Sequence, residues 1–116
     1  MIKVELVIKN GHYSDAKITG HAYSNEPGKD LVCAAVSTLA QTLVNAVECI
    51  GGIPEKSYFL KVSNGHLEMR LNNNDLNDVV DIIFKTFRVG IEGIEGTYSK
   101  YVKLKVKEVH EDVKNF

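Results

Sequence analysis

The sequence predicts an α+β fold, a two-layer sandwich in which a mainly antiparallel sheet carries two helices packed on one face. Two observations support this prediction. Apolar residues alternate with polar ones in two pairs of short segments, each pair joined by an Asn-Gly dipeptide, and they recur at three- and four-residue steps in two longer segments. The element order is therefore ββαββαβ. With 116 residues and 44% hydrophobic content, residues 1–116 are expected to form a single domain.

The strands follow from the alternating segments and their turns. Asn10-Gly11 and Asn64-Gly65 are dipeptides preferred in tight hairpin turns. The hairpin strands are expected at residues 2–9, 13–20, 57–62 and 66–71, and a closing strand at about 99–109. The closing strand is rich in lysine, which is typical of a sheet edge protected against aggregation.

The helices follow from the longer periodic segments. The first is predicted over residues 31–50, with Asp30 as its N-cap and Gly51-Gly52 at its end. The second follows the asparagine-rich stretch 72–74 and is expected to end near Gly93, one of three glycines that are candidates to terminate it.

Composition excludes several classes of function. A formal net charge of −1 argues against a general nucleic-acid binder, because such proteins neutralise phosphates with a basic surface. The N-terminal residues interleave charged with apolar side chains, and we expect no later run to span a bilayer, so neither a signal peptide nor a membrane anchor is expected. We expect a cytoplasmic protein.

His21 and Cys33 are the candidate catalytic residues. His21 follows a predicted strand and Cys33 falls in the first turn of a predicted helix, where the helix dipole and a nearby imidazolium would favour the thiolate. The backbone amides of Cys33 and Ala34 are candidates to bind an oxyanion. The alternative is a buried thiol and a histidine that only satisfies a backbone group.

Residues around this pair have candidate supporting roles. Ser37 lies one helical turn after Cys33 and can hydrogen-bond catalytic groups or substrate. Asp30 is first a cap and second an orienting partner for His21, because a carboxylate beside a cysteine works against thiolate formation. The connecting loop is a candidate mobile lid formed by Ala22, Tyr23, Ser24, Asn25, Glu26, Pro27, Gly28 and Lys29.

No metal site is expected. Cys33 and Cys49 are 16 residues apart on one predicted helix, roughly 24 Å at the helical rise, which prevents a disulfide between them and gives no close-paired ligand spacing. Cys49 is interpreted as a core or buried-edge residue. His12, His66 and His110 are interpreted as solvated surface residues.

The segments Gly20-His21-Ala22 and Asp30 to Ser37 resemble the signature of Prp, the ribosomal-processing cysteine protease family, and the likeness extends over the whole chain. The resemblance implies a bacterial endopeptidase that removes the N-terminal extension of large-subunit ribosomal protein twenty-seven, needs no cofactor and forms a homodimer. It assigns Cys33 as nucleophile and His21 as general base, with Asp30 and Ser37 in supporting positions.

Two other functions remain open from the residues. A non-catalytic ribosome-assembly factor would bind the precursor protein or ribosomal RNA through the lysine-rich closing strand, although direct binding of nucleic acid is not expected from the charge. A redox-sensing thiol would respond to oxidants and would not depend on His21.

Overall fold

In the computed structural model, which describes residues 1–20 and 29–110, with side chains in the second range from residue 31 onward, five strands and two long helices follow the predicted order ββαββαβ. The strands are β1 (Ile2–Lys9), β2 (His12–Thr19), β3 (Phe59–Ser63), β4 (His66–Arg70) and β5 (Val102–Val109). The helices are α1 (Lys29–Cys49) and α2 (Asp78–Thr97), and two single turns of 3₁₀-helix occupy Glu55–Ser57 and Asn73–Asp75.

The strands form one mixed sheet in the order β3-β4-β2-β1-β5. Three neighbouring pairs are antiparallel, and β5 runs parallel to β1 at the edge. The predicted mainly antiparallel sheet and the edge position of the lysine-rich strand are thus confirmed.

Both helices connect parallel strands, and this connection decides which face they cover. α1 links β2 to β3, and α2 links β4 to β5, in opposite directions along the sheet. Because β2 and β4 are antiparallel, two right-handed crossovers in opposite directions place their helices on the same face of the sheet. The other face is left without a helix, as a two-layer sandwich requires.

The core lies between this sheet face and the two helices. Alternate residues of β1 and β2 point into it, and their neighbours point to the open face. The fully buried side chains include Val4, Leu6, Val32, Val36, Leu43, Val47, Met69, Val80, Phe84, Ile91 and Val102. Gly90 allows α2 to approach α1 closely, since an added Cβ would lie 2.9 Å from Leu39 Cδ1.

α1 starts earlier than predicted. It begins at Lys29, so Asp30 is the second helical residue and is not the N-cap, and Lys29 belongs to the helix instead of the predicted loop. The stop is close to the prediction, with α1 ending at Cys49 and Gly52 adopting φ +70°.

α2 extends four residues beyond the predicted end near Gly93. Ile91 is buried and Ile94 packs against the core, so the apolar stripe of the helix continues past Gly90 and holds the last turn in place. Gly93 and Gly96 face open space. These glycines therefore do not terminate the helix, which ends where the Tyr98 amide donates to the Ile94 carbonyl.

The apolar character of α1 has a structural explanation. Contrary to the expectation from sequence, residues Leu31–Cys49, with mean hydropathy 1.4, are long and apolar enough to cross a bilayer by length and composition. Val36, Leu43 and Val47 lie on the helix side that packs into the core. A core helix of a soluble protein meets the same criterion.

A buried carboxylate joins the β1–β2 hairpin to α2. Asp81, only 8% exposed, accepts a hydrogen bond from the Tyr13 amide at 2.8 Å, and its other oxygen lies 2.6 Å from His12 Nδ1. Asn77 caps the same helix by accepting from the Val80 amide at 2.9 Å. The hairpin and the first turn of α2 are therefore held together by polar contacts as well as by the core.

We expect Asp81→Ala to lower the free energy of unfolding by about 1–3 kcal/mol, because it leaves a buried backbone donor at Tyr13 without its partner. Urea unfolding monitored by circular dichroism measures this loss. Asp78→Ala is the matched control, since Asp78 is exposed in the same helical turn and its removal costs under about 1 kcal/mol. Equal losses in the two variants would contradict the role given to Asp81.

Candidate active site

A cavity of about 250 Å³ opens beside Cys33, between the N-terminal half of α1 and the tip of the β3–β4 hairpin. Its apolar lining is supplied by the sheet and α1, and its polar lining by α1 and the hairpin. Among the described residues, the lining is formed by Ile2, Ile18, Gly20, Cys33, Val36, Ser37, Ala40, Gln41, Val62, Ser63, Asn64, Gly65, His66 and Leu67. The cavity therefore has an apolar floor and a polar rim.

Cys33 is a free, half-buried cysteine on the wall of this cavity. Its neighbour Val32 is buried in the core, whereas Cys33 reaches the core only partly and remains open to the cavity. The thiol is therefore accessible to a ligand in the cavity. Cys49, expected to be a core or buried-edge residue, is exposed at the end of α1, because it lies on the helix side turned away from the sheet.

Ser37 and Gln41 continue a polar stripe along α1 from Cys33. The three residues are spaced four apart, so they lie on one helical face, and all three line the cavity. The Gln41 side-chain amide donates to Ser37 Oγ at 3.3 Å. Gln41 was missed as a site residue from sequence, although its spacing from Cys33 was the signal that could have found it.

The opposite wall is the tip of the β3–β4 hairpin, which includes His66; the register of His66 opposite Thr19 and of Glu68 opposite Lys17 places the His66 side chain on the sheet face away from the helices. His66 was expected to be a solvated surface residue, but it is half-buried and lines the cavity, with Nε2 3.2 Å from Glu68 Oε1. No sequence spacing links His66 to Cys33, because β4 and α1 come together only in the folded protein.

The position of the strand end before His21 is fixed by close packing at Gly20. Gly20 adopts φ +103°, and an added Cβ would lie 2.2 Å from the Met1 carbonyl oxygen, so only glycine fits without displacement. Its amide donates to the Gly65 carbonyl at 3.0 Å. The strand end and the hairpin tip are thus joined at the cavity rim.

Several predicted site residues lie outside the part of the chain that the structure describes. These are His21, the loop residues 22–28 and the side chain of Asp30. Cys33 and Ser37 are described, and the structure places both at the same cavity.

The amides of Cys33 and Ala34 occupy the fifth and sixth positions of α1, because the helix begins at Lys29. In an α-helix, each N–H from the fifth residue onward pairs with the carbonyl four residues earlier. The prediction that these two amides bind an oxyanion therefore requires the first turn of α1 to open.

Among the described residues, His12, Asp78 and Asp81 place ligand atoms within 4.8 Å of one another. This cluster was not anticipated from sequence, which predicted no metal site. Both carboxylate oxygens of Asp81 are already engaged by His12 and the Tyr13 amide. These contacts connect the β1–β2 hairpin to α2, and this structural role explains why the three residues lie together.

Comparison with protein families matches residues 1–103 to the family described as cysteine protease Prp. Among solved structures, the ribosomal processing protease Prp from S. aureus in complex with a substrate peptide is 30% identical, with a TM-score of 0.77 over 92% of this chain and 100% of that chain. The same protease with a covalently linked product peptide is 29% identical, with a TM-score of 0.75 and the same coverage.

A third solved structure, SMU.848 from Streptococcus mutans, is 30% identical, with a TM-score of 0.76 over 94% of this chain and 96% of that chain. A comparison with curated proteins gave no significant match. The nearly complete coverage in both directions shows that the similarity concerns the whole domain and is not limited to one motif.

We expect Gly20→Ala to lower the free energy of unfolding by at least about 2 kcal/mol, because it combines an unfavourable φ with a steric overlap at Met1. Gly11→Ala is the matched control. Gly11 has φ +85° and open space around it, so the variant carries the backbone strain alone and should cost about 1 kcal/mol. Urea unfolding of both variants provides the measurement, and a smaller loss at Gly20 would contradict the packing argument.

Proposed function

The chain belongs to the Prp family of cysteine proteases, and we propose that it is the endopeptidase that removes the N-terminal extension of large-subunit ribosomal protein twenty-seven. The observation that carries the proposal is the half-buried thiol of Cys33 on the wall of a cavity open to a peptide. The S. aureus relative, 30% identical, is a ribosomal processing protease that was solved with a substrate peptide.

The proposed catalytic pair is Cys33 as nucleophile and His21 as general base. His21 takes the thiol proton, and the thiolate attacks the scissile carbonyl. The tetrahedral intermediate collapses to a thioester as His21 protonates the leaving amine, and water then hydrolyses the thioester with His21 as base. The position of Gly20 supports this pairing, since it lines the same cavity and directly precedes His21 in the chain.

The remaining site residues have supporting roles in the proposal. Because α1 begins at Lys29, Asp30 is not needed as a cap, and its proposed role is to orient His21. Ser37, held by the Gln41 amide, hydrogen-bonds the substrate backbone. The loop over residues 22–28 acts as a lid, and the amides of Cys33 and Ala34 serve the oxyanion if the first turn of α1 opens.

The lining of the cavity favours an apolar substrate side chain beside the scissile bond. Ile18, Val36 and Leu67 contribute its apolar floor, where such a side chain would lose its contact with water. The protein is further proposed to act as a homodimer in the cytoplasm, as the family resemblance implies. A non-catalytic assembly factor remains distinguishable from this proposal by turnover.

We expect Cys33→Ala to reduce cleavage of a peptide that copies the N-terminal extension by at least about 10³-fold, because the nucleophile is removed. Mass spectrometry of the products gives both the rate and the cleavage site, and circular dichroism verifies the fold. Cys49→Ala is the matched control: it removes the exposed thiol of the same helix and should retain full activity. Undiminished cleavage by Cys33→Ala would contradict the proposal, as would loss of activity in Cys49→Ala alone.

We expect Ser37→Ala to lower kcat/KM for the same peptide by about 2- to 12-fold, the range that the loss of one hydrogen bond produces. Thr38→Ala is the control, because the Thr38 hydroxyl donates to the Ala34 carbonyl on a part of α1 that does not line the cavity. Steady-state kinetics distinguishes the two. An equal decrease in both variants would indicate a general effect on the helix instead of a contact with substrate.

A further inference from the structure

The sheet face that carries no helix concentrates positive charge. We define the open sheet face by the side chains that alternate with the core positions of the five strands. Its charged residues are Lys3, Glu5, Lys9, Asp15, Lys17, Lys61, Glu68, Arg70, Lys103, Lys105 and Lys107. Eight cations against three carboxylates give this face a formal charge of +5, so the rest of the chain carries −6 of the total of −1.

The positive charge of the open sheet face is uneven. Across the middle of the sheet, Lys105, Glu5, Lys17, Glu68 and Lys61 follow one another in register on neighbouring strands, so opposite charges alternate. Such cross-strand pairs stabilise the sheet. This row is therefore compensated within the protein.

The edge formed by β1 and β5 is not compensated in the same way. Lys3 lies directly opposite Lys103 in the parallel pairing, and Lys107 lies opposite Val7. Like charges placed directly opposite each other destabilise a sheet. An anion bound between them would relieve this repulsion.

We propose that the open sheet face, at its β1–β5 edge, binds the phosphate backbone of RNA. Alternate lysines of one strand, Lys103, Lys105 and Lys107, are spaced by roughly 6.6 Å and present a line of ammonium groups to a chain of phosphates. The choice of RNA over DNA rests on the proposed function, which is the cleavage of a ribosomal protein. The phosphate chemistry does not depend on that function.

The composition of the open sheet face favours RNA over a protein partner. Protein interfaces are depleted in lysine and depend on buried apolar anchors. The aromatic residue of this face, Phe59, lies on β3 at the opposite edge, and the Arg70 guanidinium lies 4.2 Å from the centre of its ring. Sheet proteins that read RNA bases stack them on exposed aromatic residues, so contact here would be with the backbone and independent of sequence.

The open sheet face and the cavity lie on different sides of the molecule. Val36 and Ala40, which line the cavity, are buried on the helix side of the sheet, whereas Lys103 and Lys105 point away from it. RNA on the open face therefore leaves the cavity accessible to a peptide. The protease can hold RNA and cleave a substrate at the same time.

The test is the binding of a labelled 20-nucleotide oligouridine RNA, followed by fluorescence anisotropy between 50 and 200 mM salt. For the wild type, log K should fall linearly with log salt. Neutralising Lys103→Gln together with Lys107→Gln should lower the affinity at 50 mM salt by about tenfold or more and reduce the slope by about 1.4, because two phosphate contacts are lost.

The matched control is Lys56→Gln together with Lys85→Gln, which changes the net charge equally at exposed lysines away from this face. The affinity of this control variant for the RNA should remain within about twofold of that of the wild type. Absence of binding by the wild type at 50 mM salt would overturn the proposal, and so would equal losses in the two double variants. An oligoglutamate peptide that competes as strongly as RNA would assign the face to acidic proteins instead.

A thymidine 20-mer provides the remaining comparison, and tighter binding of this DNA than of the RNA would overturn the assignment to RNA. Peptide cleavage is measured on the same double variants and should be unchanged. The RNA proposal and the peptidase proposal can therefore fail separately, because one is read from anisotropy and the other from the products of cleavage.

Discussion

The packing of α1 against the sheet is the contact on which the rest of the structure depends. Val36, Leu43 and Val47 are almost fully buried on this side, and burying side chains of this size contributes about 1.5–3 kcal/mol each. The same contact fixes the rotation of the helix. Since Val32 and Val36 point into the core, Cys33 and Ser37 must point beside it, which is where the cavity opens.

The cavity exists because three distant parts of the chain end at one place. β2 ends at Gly20, α1 presents its polar stripe, and the β3–β4 hairpin turns back at Asn64-Gly65. The hydrogen bond from Gly20 to Gly65 joins the first and the last of these. The Cys33 thiol next to this junction is partly shielded from water and still open to the cavity.

Much of the fold could be predicted from local patterns. The strand order along the chain, both Asn-Gly turns and the stop of α1 at its glycines follow from periodicity and turn chemistry, which act over a few residues. The errors occurred where tertiary packing outweighed a local signal. α2 continued past Gly90 and Gly93 because Ile91 is buried and Ile94 packs against the core, so burial outweighed the low helix propensity of glycine.

The residues of the candidate site were likewise predictable only in part from local patterns. The pairing of His21 with Cys33 was inferred from the family signature, since two residues twelve positions apart are weak evidence by themselves. The helical spacing of Gln41 from Cys33 could have identified it as a site residue. His66 could not be identified in this way, because it belongs to a strand that follows Cys33 by more than thirty residues, and no local rule connects the two residues.

The sequence by itself determined the elements, their order and the chemistry available at Cys33, because periodicity, turn residues and side-chain type are local properties. The tertiary structure alone decided that a chain of net charge −1 has one face of +5, since antiparallel and parallel pairing brings together charges that are far apart along the chain. It also decided which residues surround the thiol. The charged open face and the surroundings of the thiol both depend on the two crossovers, which place both helices on the same side of the sheet. The composition of the chain does not encode this arrangement.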